Sequence, residues 1–425
     1  MNKVNLQPLK GFRDFYPEQM KFRNFLFGKM REISKLFGYQ EYEGPVLESL
    51  DLYGAKSGEE LVKNQTFILK DRGGRRLALR PELTPTMARM VAAQRQKLTL
   101  PLRWFSLGPR WRYEQPQKGR FREFWQWDVD LIGFDSPEAD AEVISLACEL
   151  FKSVGLSSKE VVIKINNRRF LENKLVFVEI PRKKIPEVFR AIDKKEKMTQ
   201  DGWEKYLKEI GLNDLQIRGL GEILKDKDFA NESEELTELF STLNDLGVSK
   251  YIEFDPMVVR GLDYYTGTVF EAKDRRGEFR TILGGGRYDN LLEIIGGQKI
   301  PGVGFAAGDA VLEEILKKFK KIPKLTPCST KVLVTVFDES FYRNSLKITS
   351  QLRAKNIPTE IYLDSQTKLD KQLKYADKKG ICWVVIIGPE EEKSGTVTVK
   401  NMEKGSQETI PQEKLEDYFN KQVCF

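Results

Sequence analysis

From Leu102 the chain runs LRWFSLGPRWRYE, and from Phe121 it runs FREFWQWDVDLIGF, with PQKGR between them. Both long segments alternate large apolar with polar residues, and the short one carries Pro, Gly and cations. The pattern predicts two long antiparallel strands joined by a flexible basic tip. Lys118, Arg120 and Arg122 bring several cations to the tip, while Arg112 and Glu114 project from the first strand. Taken alone, such a hairpin fits a solvated basic surface as well as a phosphate site.

Elsewhere, Phe22, Phe25, Leu26, Met30, Ile33 and Phe37 recur at helical spacing, so Glu18 to Phe37 is predicted to be an amphipathic helix ended by Gly38. YQEYEGPVLES follows as an extended segment whose Pro45 limits its place in a sheet. SPEADAEVISLACELFKSVG begins with a Ser cap and an acidic first turn and predicts a helix from Ser136 to Gly155. VVIKINN from Val161 reads as a strand. From Arg168 to about Lys250 the pattern is charged and helical, until YIEFDPMVV resumes strand character. PKLTPCSTK, from Pro323, reads as a linker. Beyond it KVLVTVF, a helix from Ser340 to Lys355, TEIYL, a helix from Leu369 to Lys379, and CWVVIIG predict a small α/β domain with a mainly parallel sheet.

Composition excludes more than it specifies. The chain has 425 residues, 70 Lys+Arg against 63 Asp+Glu, and no histidine. The net charge of +7 permits a polyanionic partner without requiring one, and nearly all of the excess precedes Thr326. Without histidine no Ser-His-Asp triad, HExxH zinc site or histidine base can exist. No Walker A sequence appears, and GVGFAAG from Gly302 has the wrong spacing for a dinucleotide loop. The four cysteines, Cys148, Cys328, Cys382 and Cys424, form no CxxC pair and read as thiols in a reducing cytosol. No zinc and no organic cofactor are expected. The opening MNKVNLQPLKGFRDFYP has no apolar core, and ICWVVIIG is too short to span a membrane, so a cytoplasmic protein is expected.

Two further stretches carry the chemistry. Val259 to Ala272 read VRGLDYYTGTVFEA, and LGGGRYDNLLE follows from Leu283. An arginine before a glycine turn, paired tyrosines and a strand rich in Thr, Val and Phe would line a polar pocket with one cation and two aromatic hydroxyls. That suits a small, flat, zwitterionic ligand. Arg260 could instead form a surface ion pair with Asp263. RPELTPTMARMVA, from Arg80, offers Glu82 and Thr84 as acceptors for an ammonium group, although Glu82 could equally belong to a helix start at Pro81. Gln126 and Asp130 lie four residues apart on one strand and so share a face.

These motifs, in this order, resemble the histidyl-tRNA synthetases. RWRYEQPQKGRFREFWQWDVD resembles motif 2 of the class II aminoacyl-tRNA synthetases, VRGLDYYTG and GGGRYD resemble the histidine-specific motifs, and KGFRDFYP from Lys10 resembles the family's opening. The resemblance covers most of the chain. It implies an α+β catalytic domain on an antiparallel sheet at 1–167 and 251–322, a helical insertion at 168–250, and an α/β anticodon-binding domain at 328–425. It further implies a homodimer through the Pro45 segment and ATP-dependent ligation of L-histidine to tRNA(His), with Mg²⁺ accompanying ATP. Arg112 and Arg260 would be catalytic, both on the α-phosphate and the amino-acid carboxylate. Glu82 and Thr84 would hold the ammonium, Gln126 the backbone, Asp130 the imidazole, with Tyr264 and Tyr265 the hydroxyls placed beside it. Glu114, Arg120 and Arg122 would join Arg112 on ATP.

Two positions depart from the pattern. In GDAVL, Ala310 and Val311 stand where motif 3 has Glu and the arginine over the γ-phosphate, and Gln115 stands where a motif 2 arginine is familiar. The alternative relative is the histidine-sensing regulatory subunit of ATP phosphoribosyltransferase, which shares the synthetase core. Val311 favours that relative, whereas Arg112, Arg260, the basic loop and the C-terminal domain favour the ligase. A general RNA-binding module would account for the charge but not for the amino-acid pocket.

Overall fold

The computed structural model describes residues 5–54, 61–325 and 328–422. Thr326 and Pro327 of the expected linker and Cys424 lie outside them. The chain forms two compact units, Met1–Ile322 and Pro323–Phe425.

Eight strands make the sheet of the first unit: β1 (Gln40–Glu41), β2 (Leu102–Trp111), β3 (Glu123–Ile132), β4 (Val161–Asn167), β5 (Ile252–Phe254), β6 (Thr268–Asp274), β7 (Leu283–Arg287) and β8 (Gly302–Gly308). Their spatial order is β1-β2-β3-β8-β7-β6-β4-β5. The expected hairpin is β2 and β3, in register from Leu102 opposite Ile132 to Trp111 opposite Glu123. All inner pairs are antiparallel, and only the two edge pairs, β1 with β2 and β4 with β5, are parallel. Pro45 lies between β1 and a small three-stranded sheet of Leu47–Ser49, Arg76–Leu79 and Ile68–Lys70, consistent with a residue that cannot donate to a ladder.

Strand alternation gives the sheet two different faces. Trp127, Val129 and Leu131 of β3 join Phe270, Ala272, Val303, Phe305 and Ala307 in the main apolar core. Helices Pro17–Leu36 and Pro137–Ser153 cover that face with Leu26, Met30, Ile33, Val143, Ala147 and Phe151. The intervening residues Gln126, Asp128 and Asp130 point to the other face, which carries the candidate site. The helix at Pro137 starts where its sequence predicts, with the Ser136 hydroxyl accepting from the Ala139 N–H.

Between Arg168 and Asp245 the described residues form five α-helices and no strand. The helices up to Ile223 share a separate apolar cluster that runs from Leu171 to Leu224 and takes in Val259. Helix Glu234–Asp245 instead buries Leu236, Leu239 and Leu243 in the main core. The helical region is therefore not packed as one body.

In the second unit the strands lie in the order Thr359–Ile361, Val332–Val334, Trp383–Ile386, Thr396–Asn401, Gln407–Pro411. The first three are mutually parallel, as expected, and the last two turn antiparallel. Helix Leu369–Lys379 matches its expected bounds, and Gly380 ends it in the left-handed conformation.

Candidate functional site

Two motifs that lie apart in sequence are locked together by backbone and hydroxyl contacts. The Thr266 N–H donates to the Arg287 carbonyl at 2.8 Å, and the Thr266 hydroxyl donates to Asp289 at 2.7 Å. Asn166 at the end of β4 donates to the carbonyls of Pro256 and Val258, and Arg168 donates to that of Leu262. The RGLDYYTG loop is thus held on both sides of Arg260. Arg287 is fully buried and bound to Asp140, to Asp289 and to the carbonyls of Phe134 and Ser136. Its task is to tie β7 to helix Pro137–Ser153.

Arg260 adopts φ +56°, a left-handed backbone that a side-chain-bearing residue takes at a cost of about 1–2 kcal/mol. Its guanidinium lies directly against the backbone of Gly284 in β7, in space that any Cβ at that position would occupy. Its carboxylate partner is Glu271 at 3.3 Å. Asp263 pairs with Arg190 at 3.6 Å instead, so a surface pair between Arg260 and Asp263 does not form. Burial opposes the Arg260 charge, but Tyr265, Glu271 and Asp193 around it raise its pKa on balance.

Arg112 leaves the end of β2 and donates from Nε to the Pro81 carbonyl at 3.0 Å, with its guanidinium 5.4 Å from the Phe124 ring. Burial lowers its pKa, with Glu82 and Tyr264 opposing and Arg260 adding to the fall. These groups are therefore electrostatic neighbours. Glu82 is buried and accepts from the Tyr264 hydroxyl at 3.1 Å, while Thr84 begins the helix Thr84–Gln94. The Tyr264 ring stands 4.9 Å from Tyr265 and 6.1 Å from Tyr288.

The hydroxyl on Asp130 comes from Tyr288 of the GGGRYD motif, not from Tyr264, which is spent on Glu82, nor from Tyr265. The reason is local: Gly304 opposite Asp130 and Gly302 next to it leave the room that the Tyr288 ring fills. Burial pushes the Asp130 carboxyl up to about 7, against the hydrogen bond from Tyr288. Sequence reading quoted Tyr288 within its motif but gave it no role. Its signal was the glycine pair on the facing strand.

Buried polar atoms on this face without a hydrogen-bond partner in the protein include Gln126 Oε1, Asp130 Oδ2 and Arg260 Nε, with the Tyr42 hydroxyl close to Asp130. Buried polar atoms are rarely left so, and the first three together offer two acceptors and a donor to a ligand.

Two adjoining cavities of about 300 and 520 Å³ open on the site, and both are lined by Arg112, Glu114, Arg120, Arg260, Arg280 and Thr281. Phe124, Gln126 and Val311 line the smaller; Asp193 and Glu271 line the larger. Glu114 accepts from Arg120. Arg122 lies elsewhere: it stacks 4.1 Å over Tyr113 and donates to the Glu114 carbonyl, so it braces the motif 2 loop and does not line either cavity. Asp309 was also missed by sequence reading. It accepts from the Trp125 N–H and from Arg13 at 2.9 Å, joining the opening motif to β3.

The chain is similar to known proteins over nearly its whole length. The family model of histidyl-tRNA synthetase matches residues 11–310, and that of an anticodon binding domain matches 327–422. A histidine–tRNA ligase of Leptospira biflexa is 39% identical over 96% of this chain and 96% of that protein. The chloroplastic/mitochondrial histidine–tRNA ligase of Arabidopsis thaliana is 38% identical over 97% of this chain and 87% of its own. Among solved structures, histidyl-tRNA synthetase from Nostoc sp. PCC 7120 superposes with a TM-score of 0.82 at 26% identity, covering 99% of this chain and all of that one. A Bacillus halodurans protein titled ATP phosphoribosyltransferase regulatory subunit/histidyl-tRNA synthetase gives 0.73 at 25% identity over 88% of this chain and 97% of its own.

Proposed function

Since the chain belongs to the histidyl-tRNA synthetase family, we propose that it ligates L-histidine to tRNA(His) at the expense of ATP. The observation that carries the reading is the set of orphaned atoms beside two arginines. Gln126 Oε1 accepts from the substrate's ammonium, alongside Glu82 and Thr84; Asp130, with Tyr288, takes the imidazole; and Arg260 and Arg112 face the carboxylate and α-phosphate. Tyr264 and Tyr265 pack the ligand's flank.

A carboxylate oxygen of histidine attacks the α-phosphorus, forming a P–O bond while the bond to the β-phosphate breaks and pyrophosphate leaves with the electron pair. The carboxylate is ionised at neutral pH, so no base is needed, and catalysis rests on alignment and charge neutralisation by Arg112 and Arg260. The terminal ribose hydroxyl of the tRNA then attacks the adenylate carbonyl carbon. AMP leaves, and a phosphate oxygen accepts the hydroxyl proton. Mg²⁺ bound with the triphosphate would neutralise part of its charge, and Glu114 and Glu271 are the carboxylates on the cavity walls that would help hold it.

The same reading divides the chain into a catalytic domain at 1–167 and 251–322, an insertion at 168–250 and an anticodon-binding domain at 328–425. It takes the protein to be a cytoplasmic homodimer. Val46, Leu47, Ile68 and Leu69 expose apolar side chains around the small sheet, a surface suited to a second copy, and no described helix is long and apolar enough to cross a membrane. The sensor reading is not favoured, because relatives named as ligases match over nearly the full length, anticodon-binding segment included. Histidine-dependent ATP–pyrophosphate exchange by the purified protein tests the proposal; histidine binding with no exchange at millimolar ATP and Mg²⁺ would overturn it.

A further inference from the structure

On the reading that ATP occupies the smaller cavity, its terminal phosphates meet a wall on which Val311, largely buried and apolar, stands where the motif 3 arginine is expected. A triphosphate end desolvated against valine needs another cation. Most of the cations nearby are committed. Arg120 is bound to Glu114 and Arg260 to Glu271. Arg112 is anchored to the Pro81 carbonyl at the end of β2. Arg13 is held on Asp309, and Arg23 is stacked 3.7 Å over Trp125; both line a different cavity of about 350 Å³.

We infer that Arg280 is the side chain that binds the terminal phosphates of ATP in place of the missing arginine. It lies in the loop between β6 and β7, on the wall of the same cavity as Val311. Its neighbours are fixed: the Glu278 and Phe279 N–H groups donate to Asp274 at 2.9 Å each, the Thr281 hydroxyl donates to Glu271 at 3.1 Å, and the Ile282 N–H donates to the Ala272 carbonyl. The backbone is therefore held while the guanidinium is exposed. Among the described residues Arg280 makes no ion pair, and its one hydrogen bond is to a neutral acceptor, Gln117 Oε1 of the motif 2 loop, at 3.2 Å. Exchanging that amide for phosphate turns a neutral contact into a charge-assisted, bidentate one. The motif 2 loop, released from Arg280, closes over the nucleotide from the other side.

The test compares wild type with Arg280→Ala and Arg280→Lys in binding of ATP and of AMP, each with Mg²⁺, and in histidine-dependent pyrophosphate exchange. Loss of Arg280 is expected to weaken ATP binding and raise KM for ATP by about ten- to a hundredfold, the size of one hydrogen-bonded charged contact. Affinity for AMP and KM for histidine stay within about twofold on the same scale. Arg280→Lys falls between, and Val311→Arg in the Arg280→Ala background restores ATP binding. An Arg280→Ala protein that keeps the wild-type preference for ATP over AMP overturns the assignment, as does equal loss of both nucleotides, which marks a structural role. Absence of exchange in the wild type refutes the ligase reading instead, and the ATP-against-AMP comparison still decides the place of Arg280.

Discussion

Gly284→Ala separates the catalytic task proposed for Arg260 from the integrity of the sheet. A Cβ at position 284 would overlap Cζ and both Nη atoms of Arg260, and it would meet no backbone atom among its three nearest contacts. The end of a flexible side chain can move, so the expected response is rotation of the guanidinium off β7, with the strand left in place. Alanine is the better strand residue by about 0.5–1 kcal/mol, which offsets much of the cost of that rotation. Stability should change by less than about 1 kcal/mol. Activity should not survive so well, because one displaced donor beside a reacting phosphate costs about 3–4 kcal/mol, or ~10²–10³ in rate. Gly285→Ala is the control. Its Cβ would strike the Gly304 carbonyl and lie 2.6 Å from Phe305 Cβ and 2.7 Å from Phe270 Cζ, none of which can swing away, so overpacking of at least about 1–3 kcal/mol is expected. Pyrophosphate exchange and thermal unfolding on both variants give the answer. Exchange by Gly284→Ala within about twofold of wild type, far short of that factor, or unfolding that tracks Gly285→Ala, would refute the reasoning.

Arg260→Lys should lose exchange almost as fully as Arg260→Ala, since a point charge cannot span phosphate and carboxylate as a planar fork does; near-normal exchange in the lysine variant would count against the assignment. Burial raises the Asp130 carboxyl from 3.8 to about 7, so its contribution to stability is complete below the unfolded value and is lost as pH rises through 7. Asp130→Asn should flatten that part of the urea-denaturation profile between pH 4 and 8, and an unchanged slope would show that other groups set it. A pocket that hydrogen-bonds the imidazole should reject phenylalanine by roughly 10⁴ or more, because its buried polar groups would be left unpaired. Phenylalanine-dependent exchange within about tenfold of histidine would contradict that margin.

The sequence was most readable where local periodicity and burial coincide. The hairpin of β2 and β3, the helices after Pro17 and Ser136 and the helix at Leu369 have strong alternation or clear caps, and they form close to where those signals place them. Strands Thr396–Asn401 and Gln407–Pro411 were missed, though TVTVKN alternates, because they lie after the βα alternation that had defined the small domain. Within the site, spacing put Gln126 and Asp130 on one face, and the family resemblance set Arg112 and Arg260 beside them. Pairing between them was not legible. Which tyrosine reaches Asp130 depends on glycines of a strand that follows Asp130 by more than 170 residues, and no local pattern encodes that register. The fate of Arg122, turned onto Tyr113, was equally hidden, since a charge on a loop can face either way.

What β7 and β8 contribute to the site is chiefly the lack of side chains. Gly284 admits the Arg260 guanidinium, and Gly302 and Gly304 admit Tyr288 and the Asp130 carboxylate. These strands sit in the middle of the sheet, so their glycines weaken it by about 0.5–1 kcal/mol each. To this are added the left-handed backbone at Arg260 and buried polar atoms without partners, Gln126 Oε1, Asp130 Oδ2 and Arg260 Nε among them, each worth about 1–3 kcal/mol if unsatisfied. The opposite face, packed with Trp127, Phe270, Phe305 and the helices over them, supplies the compensating apolar burial. A zwitterion with a ring N–H that satisfies Gln126, Asp130 and Arg260 together removes most of the local cost, and an apolar side chain of the same size removes little of it. On the proposed function, selectivity for histidine then follows from these same unpaired groups.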